Sequence, residues 1–219
     1  MFFVAFGQCT VSYRDEKKKE HLHHRKLRYG DVFGEIAMIY ECRRTATVQS
    51  LNYTTLAKLR PAMYKDLIGE YPQMNHFLKE HICKYNDNMK RFLRNSLQNI
   101  PYFQDLEELT YVDLIYNLEP VQMEQGQVLF RPDENADQLI FIVDGVVELY
   151  TYFEQNEFVL ERLFRGSAIN FRTFFMADLV HVYARCAKPS LLVQLSINKL
   201  NGMASASSLL RHHGRTRGI

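Results

Sequence analysis

Apolar and polar positions alternate in short runs at both ends of the chain, whereas in the middle the apolar positions recur at helical spacing. Residues 2–13 are apolar and β-prone, broken at Gly7, which predicts two short strands around a glycine turn. Residues 15–28 are charged and predict a solvated hairpin loop running into a strand near Leu22 and Leu27. Residues 54–59 predict a closing strand. Met63, Tyr64, Leu67 and Ile68 then predict a short helix ending near Gly69.

Pro72 opens the longest helical pattern, since proline suits a first helical turn. Met74, Phe77, Leu78, His81, Ile82, Tyr85, Met89, Phe92, Leu93 and Leu97 follow at helical spacing. The pattern predicts one helix over 72–98, about 40 Å long, with an apolar stripe that needs a partner. Lys90, Arg91 and Arg94 are expected on its wet face. Beyond Pro101, the spacing of Leu106, Leu109, Val112, Ile115 and Leu118 predicts another helix. Strands are expected over 127–130, 139–143, 146–150, 158–164 and 190–196, the second and third joined through the turn dipeptide Asp144-Gly145. The order is β-rich, helical, β-rich. Phe3-Val4-Ala5-Phe6-Gly7 and Phe141-Ile142-Val143-Asp144-Gly145 sit alike in their units, which suggests two copies of one kind, the first cut short. The expected domains are 1–98, 99–201 and a disordered tail over 202–219 rich in Ser, Ala, Gly, His and Arg.

Composition narrows the function. The chain has 219 residues, 47% apolar and 24% charged, as soluble globular proteins do. A net charge of +2 argues against a dedicated nucleic-acid binder. Cys9, Cys42, Cys83 and Cys186 are widely spaced with no CxxC pair, which argues against a disulfide scaffold or zinc site and for a reducing compartment. No apolar run is long enough to cross a bilayer, and residues 1–6 lack the basic flank of a signal peptide. The expected location is the cytosol, or the cytosolic face of a membrane within a larger protein. His21, His23 and His24 are read as solvated surface and no metal is expected. Lys17, Lys18 and Lys19 are offset by Asp15, Glu16 and Glu20. There is no nucleophile–base motif, P-loop or kinase catalytic motif, so no catalysis and no cofactor are expected.

The chemistry concentrates in Phe33-Gly34-Glu35-Ile36-Ala37 and Arg43-Arg44-Thr45-Ala46-Thr47-Val48. Gly34 lets backbone approach a ligand at angles closed to other residues. The amides of Ile36 and Ala37 open a helical turn and can donate to an anion. A guanidinium at Arg44 can pair two phosphate oxygens, and Glu35 can accept from a sugar hydroxyl. The residues alone leave a second reading open, in which Glu35 and Arg44 pair with each other on the surface.

The uninterrupted string over 33–48 resembles the phosphate-binding cassette of cyclic-nucleotide-binding domains, found in cyclic AMP- and cyclic GMP-dependent protein kinases, cyclic-nucleotide-gated channels and bacterial catabolite regulators. The resemblance implies mainly β architecture with helices: tandem jelly-roll-type antiparallel β-barrels joined by a long helix, the family's lid. It implies cyclic GMP or cyclic AMP as ligand. Glu35 would bind the ribose 2′-hydroxyl and Arg44 the exocyclic phosphate oxygens. Phe33 belongs to the same motif, Gly34, Ile36 and Ala37 would give backbone contacts, and Ala46 would lie against the ligand. Thr45 stands where threonine is associated with cyclic GMP, although cyclic AMP-responsive channels carry it too.

The second unit resembles the family in its scaffold, through Ile100-Pro101-Tyr102-Phe103, Leu129-Phe130-Arg131-Pro132 and residues 141–148. Its cassette departs: no Gly-Glu pair occurs over 165–170, Val182 or His181 falls where the arginine belongs, and Arg185 is out of register. It is expected to be silent. The first unit is expected to lack the family's opening helix and first two strands. The parent implied is a kinase regulatory region, with a kinase catalytic domain as partner. Alternatives are the cytosolic part of a channel, with a pore domain as partner, and a non-binding structural barrel pair. A second barrel stands where a transcription regulator would carry its helix-turn-helix.

Overall fold

A computed structural model of the chain describes residues 1–15, 20–85, 87–176 and 178–203. The chain divides into two compact units, Met1–Tyr85 and Asn86–Ile219. Each is built on two antiparallel sheets.

In the first unit, β1 (Phe2–Phe6), β2 (Cys9–Asp15), β3 (Glu20–Leu27) and β4 (Val32–Phe33) lead to a single helical turn, α1 (Ile36–Ile39). The strands β5 (Thr47–Ser50) and β6 (Thr55–Lys58) follow, then α2 (Pro61–Glu70) and α3 (Pro72–Cys83). The sheet orders are β4-β1-β6 and β3-β2-β5. Val4, Cys9 and Leu27 are buried between the sheets. A second cluster forms where Met38 of α1 meets Tyr64 of α2 and, from α3, Met74 and Leu78.

The second unit opens with α4 (Asn88–Gln98), a 3-10 turn (Pro101–Phe103) and α5 (Glu108–Asn117). The strands β7 (Glu119–Met123), β8 (Val128–Phe130), β9 (Gln138–Asp144), β10 (Val147–Phe153), β11 (Asn156–Leu163) and β12 (Ala168–Ile169) come next. Then α6 (Phe171–Met176), β13 (Tyr183–Cys186), β14 (Ser190–Ser196) and α7 (Ile197–Gly202) complete it. Its sheets run β12-β9-β14-β7 and β11-β10-β13-β8.

The two units repeat one plan. Strands β1 to β6 correspond in order and pairing to β9, β10, β11, β12, β13 and β14. The second unit adds β7 beyond β14 and β8 beyond β13; among the described residues β6 and β5 carry no such neighbour. Gly7 and Gly145 turn the equivalent corners at φ of 85° and 108°. A Cβ at Gly145 would sit 2.1 Å from the Ser190 hydroxyl oxygen, so neither conformation nor space admits a side chain.

The helix expected over 72–98 is two helices, α3 and α4. The cause lies in the residues between them. Asp87 adopts an extended backbone and its side chain accepts from the Lys90 amide at 2.8 Å, capping a new helix. The apolar stripe therefore serves two cores. Met74 and Leu78 pack in the first unit. Leu93 and Leu97 are buried in the second, with Phe103, Leu114, Leu139 and Phe141. Phe77 of α3, counted in the stripe, is exposed. Lys90, expected in water, is only 6% exposed, with its ammonium 3.7 Å from Glu108, whose other oxygen lies 2.6 Å from Arg94.

Of the charged segment expected as a hairpin loop running into a strand, residues Glu20–Leu27 are β3, paired antiparallel with β2. Lys17, Lys18 and Lys19 lie outside the described residues, as do the side chains of His21, His23 and His24. Two residues of the expected tail are placed in the fold: Gly202 ends α7 and Met203 is buried in the second core. Residues 204–219 of that expected tail lie outside the described residues.

Candidate functional site

The cassette is a strand, a glycine bend, one helical turn and a return strand. Phe33 ends β4, stacked on Phe2 with ring centroids 5.1 Å apart. Gly34 adopts φ of 76° and redirects the chain into α1. Within the turn the Met38 amide donates to the Glu35 carbonyl at 3.0 Å, so the amides of Ile36 and Ala37 come ahead of the first internal acceptor.

Arg44 folds back over the bend, and its Nη1 donates to the Gly34 carbonyl at 3.0 Å. A Cβ on Gly34 would lie 2.9 Å from that nitrogen, so the glycine serves both the backbone angle and the seat of the guanidinium. The rest of the Arg44 side chain is exposed, leaving further N–H donors for an anion. Thr45 is exposed and Ala46 half-buried at the entry to β5.

Glu35 is 2% exposed. Its Oε1 accepts from the Tyr85 hydroxyl at 2.6 Å, and its Oε2 is buried with no hydrogen-bond partner among the described residues. Burying a carboxylate oxygen without a donor is costly, so this atom is a marked feature of the site. No ion pair joins Glu35 to Arg44 among the described residues, and the surface-pair reading of these two residues fails on burial alone. Tyr85, placed just after α3, entered the sequence reading only as a stripe residue. Nothing in the sequence links it to Glu35 fifty positions away. Burial, and then the hydrogen bond to Glu35, push its phenol well above the usual tyrosine range.

The loop after α1 is tied to the helices behind it. Lys65 of α2 lies 2.9 Å from Glu41, and Lys79 of α3 sits over the Tyr40 ring. With the Met38 cluster, these contacts link α1 and the loop after it to α2 and α3.

The second unit has the same bend with different chemistry. Tyr183 pairs with Tyr150 as Thr47 pairs with Ser12. That register puts Asn170, at φ of 64°, in the place of Gly34, Phe171 in that of Glu35 and Val180 in that of Arg44. The arginine position is thus Val180, not Val182 or His181, and it is buried in an apolar cluster. Arg185 faces elsewhere, bonded to Glu148 and Glu157 and lying over the Tyr150 ring.

The cyclic nucleotide-binding domain model matches residues 1–71 and 120–207, the greater part of both units. The chain belongs to the cyclic nucleotide-binding domain family. Among relatives of this family, the chain is 27% identical over 118 residues to the cAMP-dependent protein kinase regulatory subunit of Dictyostelium discoideum, covering 54% of this chain and 32% of that one. It is 26% identical over 154 residues to the cGMP-dependent protein kinase egl-4 of Caenorhabditis elegans, covering 70% and 17%. It is 28% identical over 136 residues to the human potassium/sodium hyperpolarization-activated cyclic nucleotide-gated channel 2, covering 58% and 14%. The chain spans a third or less of the length of each. As a cyclic nucleotide-binding domain pair it has the tandem β-barrels expected from its sequence, with the joining helix broken in two. Among the described residues, no group of three His, Cys, Asp or Glu side chains is placed to hold a metal, and no helix is long and apolar enough to cross a membrane.

Proposed function

We propose that the first unit binds one cyclic nucleotide, cyclic GMP or cyclic AMP, and passes the event to α2 and α3. The observation that carries this is the Glu35–Arg44 pair of acceptor and donor. A buried carboxylate oxygen without a partner and a guanidinium with donors to spare flank one glycine bend. A cyclic nucleotide supplies the hydroxyl and the anion that complete them. Arg44 and the amides of Ile36 and Ala37 take the phosphate, Glu35 the ribose hydroxyl, and Thr45 and Ala46 the side toward the base.

Ligand that orders α1 acts on α2 and α3 through Met38, Glu41 and Tyr40. The shift is bounded by the difference in ligand affinity between the two helix positions, on the order of 1–3 kcal/mol in coupled sites. The second unit, with Phe171 and Val180 at the key positions, binds none. Cys9, Cys42, Cys83 and Cys186 form no disulfide among the described residues, in keeping with a cytosolic place.

The tandem units favour a kinase regulatory region as parent, with a kinase catalytic domain as partner. The channel similarity favours a second reading, in which a pore domain is the partner. Sequence flanking this segment decides between them: a kinase catalytic domain on one reading, a run of transmembrane helices on the other. Equilibrium dialysis of the full chain with cyclic AMP and cyclic GMP tests the binding itself. One nucleotide per chain is expected for at least one of them; no saturable binding at millimolar ligand refutes the proposal.

A further inference from the structure

The Glu35 carboxylate has two oxygens in unlike states, and Tyr85 makes the difference. Its hydroxyl has a single proton. Arg25, whose guanidinium carbon lies 5.5 Å from the Tyr85 ring centroid, also bonds that hydroxyl, and arginine can only donate. The tyrosine oxygen therefore accepts from Arg25 and points its proton at Oε1 of Glu35, 2.6 Å away. The raised phenol keeps that proton in place across the working pH range. Oε2 remains, buried and without a partner.

We propose that Tyr85 is a specificity-determining positioning residue, which occupies Oε1 of Glu35 so that Oε2 alone is offered to a ligand hydroxyl. The inference rests on Glu35 and Arg44 forming the binding site, and it adds the residue that makes the site select a ribose over a deoxyribose. A carboxylate free to turn would present either oxygen at the cost of its own rotamer freedom. One pinned by Arg25 and Tyr85 presents a fixed acceptor at no such cost. The hydroxyl donor completes a chain from Arg25 through Tyr85 and Glu35 to the sugar.

The test is calorimetric titration of the full chain with cyclic AMP, cyclic GMP and the 2′-deoxy form of each. The wild type is expected to prefer the ribose form of its ligand by about tenfold or more, the worth of a hydrogen bond to a charged group. Tyr85→Phe keeps the ring and should cut that preference by about tenfold while leaving the deoxy form within about twofold. In a Glu35→Gln background the same change should alter the ratio by less than about twofold, because the two residues act as one unit. Equal losses for both forms, or an unchanged ratio, overturn the role of Tyr85 and leave the site standing. Failure of the wild type to bind any of the four ligands overturns the site and the inference together. Should Tyr85→Phe not fold, the wild type still decides. Its Tyr85 hydroxyl proton, a low-field resonance, should move when the ribose form is added and stay when the deoxy form is; the same response to both contradicts the proposal.

Discussion

Replacing Arg44 with alanine removes the cation of the proposed site and little else. The guanidinium spends one N–H on the Gly34 carbonyl and makes no ion pair with Glu35 among the described residues. Two further N–H groups can meet two phosphate oxygens, each charge-assisted bond contributing about 1.5–3 kcal/mol where water is excluded. Arg44 is exposed, so solvent takes back a large part, and about 2–3 kcal/mol is expected to remain. The affinity of Arg44→Ala should fall by about 30- to 150-fold. Its melting temperature should barely move, because an exposed side chain away from the core changes stability by no more than about 0.5 kcal/mol. Arg44→Lys, with the charge but not the fork, should fall between. Calorimetric titration at two salt concentrations reads this directly, with the difference between wild type and Arg44→Ala narrowing at high salt. An alanine variant that binds within about threefold of wild type refutes the assignment of the phosphate to Arg44.

Thr45→Ala should weaken cyclic GMP by about 1 kcal/mol in the same titration and leave cyclic AMP nearly unchanged, if the hydroxyl reaches the guanine amino group; equal losses mean that it only packs. Leu97→Ala, at a fully buried position of α4, should destabilise the second unit by about 2–5 kcal/mol by denaturant unfolding, although the sequence pattern joins Leu97 to the helix of the first. Glu148 pairs across strands with Arg162 and Arg185, whose hydrogen bonds hold its carboxyl below the usual carboxylate range. A depressed folded value means stability that is present above the unfolded value and lost as pH falls through the folded one. Unfolding followed below pH 4.5 should thus steepen in wild type and flatten in Glu148→Gln; identical pH profiles would deny the pair that role.

The cassette was legible because its residues are contiguous. Glycine, carboxylate and arginine sit within eleven positions, and a bend, a turn and a return strand leave little freedom in how they meet. The strands were legible where apolar runs were dense, as in β9 and β14, or where apolar and polar positions alternated, as at the start of β10. Short or polar strands such as β7, β12 and β13 carried no such signal. The broken helix was not legible, because a helical stripe looks the same whether one core uses it or two. Asp87 as a cap is the one residue that marks the restart. The register of the second cassette needed the pairing of Tyr183 with Tyr150, since a buried Val180 has no chemistry by which to be counted. Tyr85 is the clearest case of information held only in three dimensions. Its hydroxyl matters because α3 returns the chain to the bend, and a hydrogen bond across fifty residues leaves no local pattern.

The central claim is that one cyclic nucleotide binds, and binds at the bend around Gly34. Titrating the isotope-labelled full chain with cyclic AMP and cyclic GMP, while following backbone amide resonances, tests stoichiometry and place together. The predicted result is saturation at one ligand per chain, with the largest shifts at Gly34, Ile36, Ala37 and the residues from Arg44 to Ala46, and smaller ones in α2 and α3. The amides of Gly166, Asn170 and Phe171 should stay in place. Saturable shifts centred on those three residues, or no shifts around Gly34 at millimolar ligand, would contradict the claim.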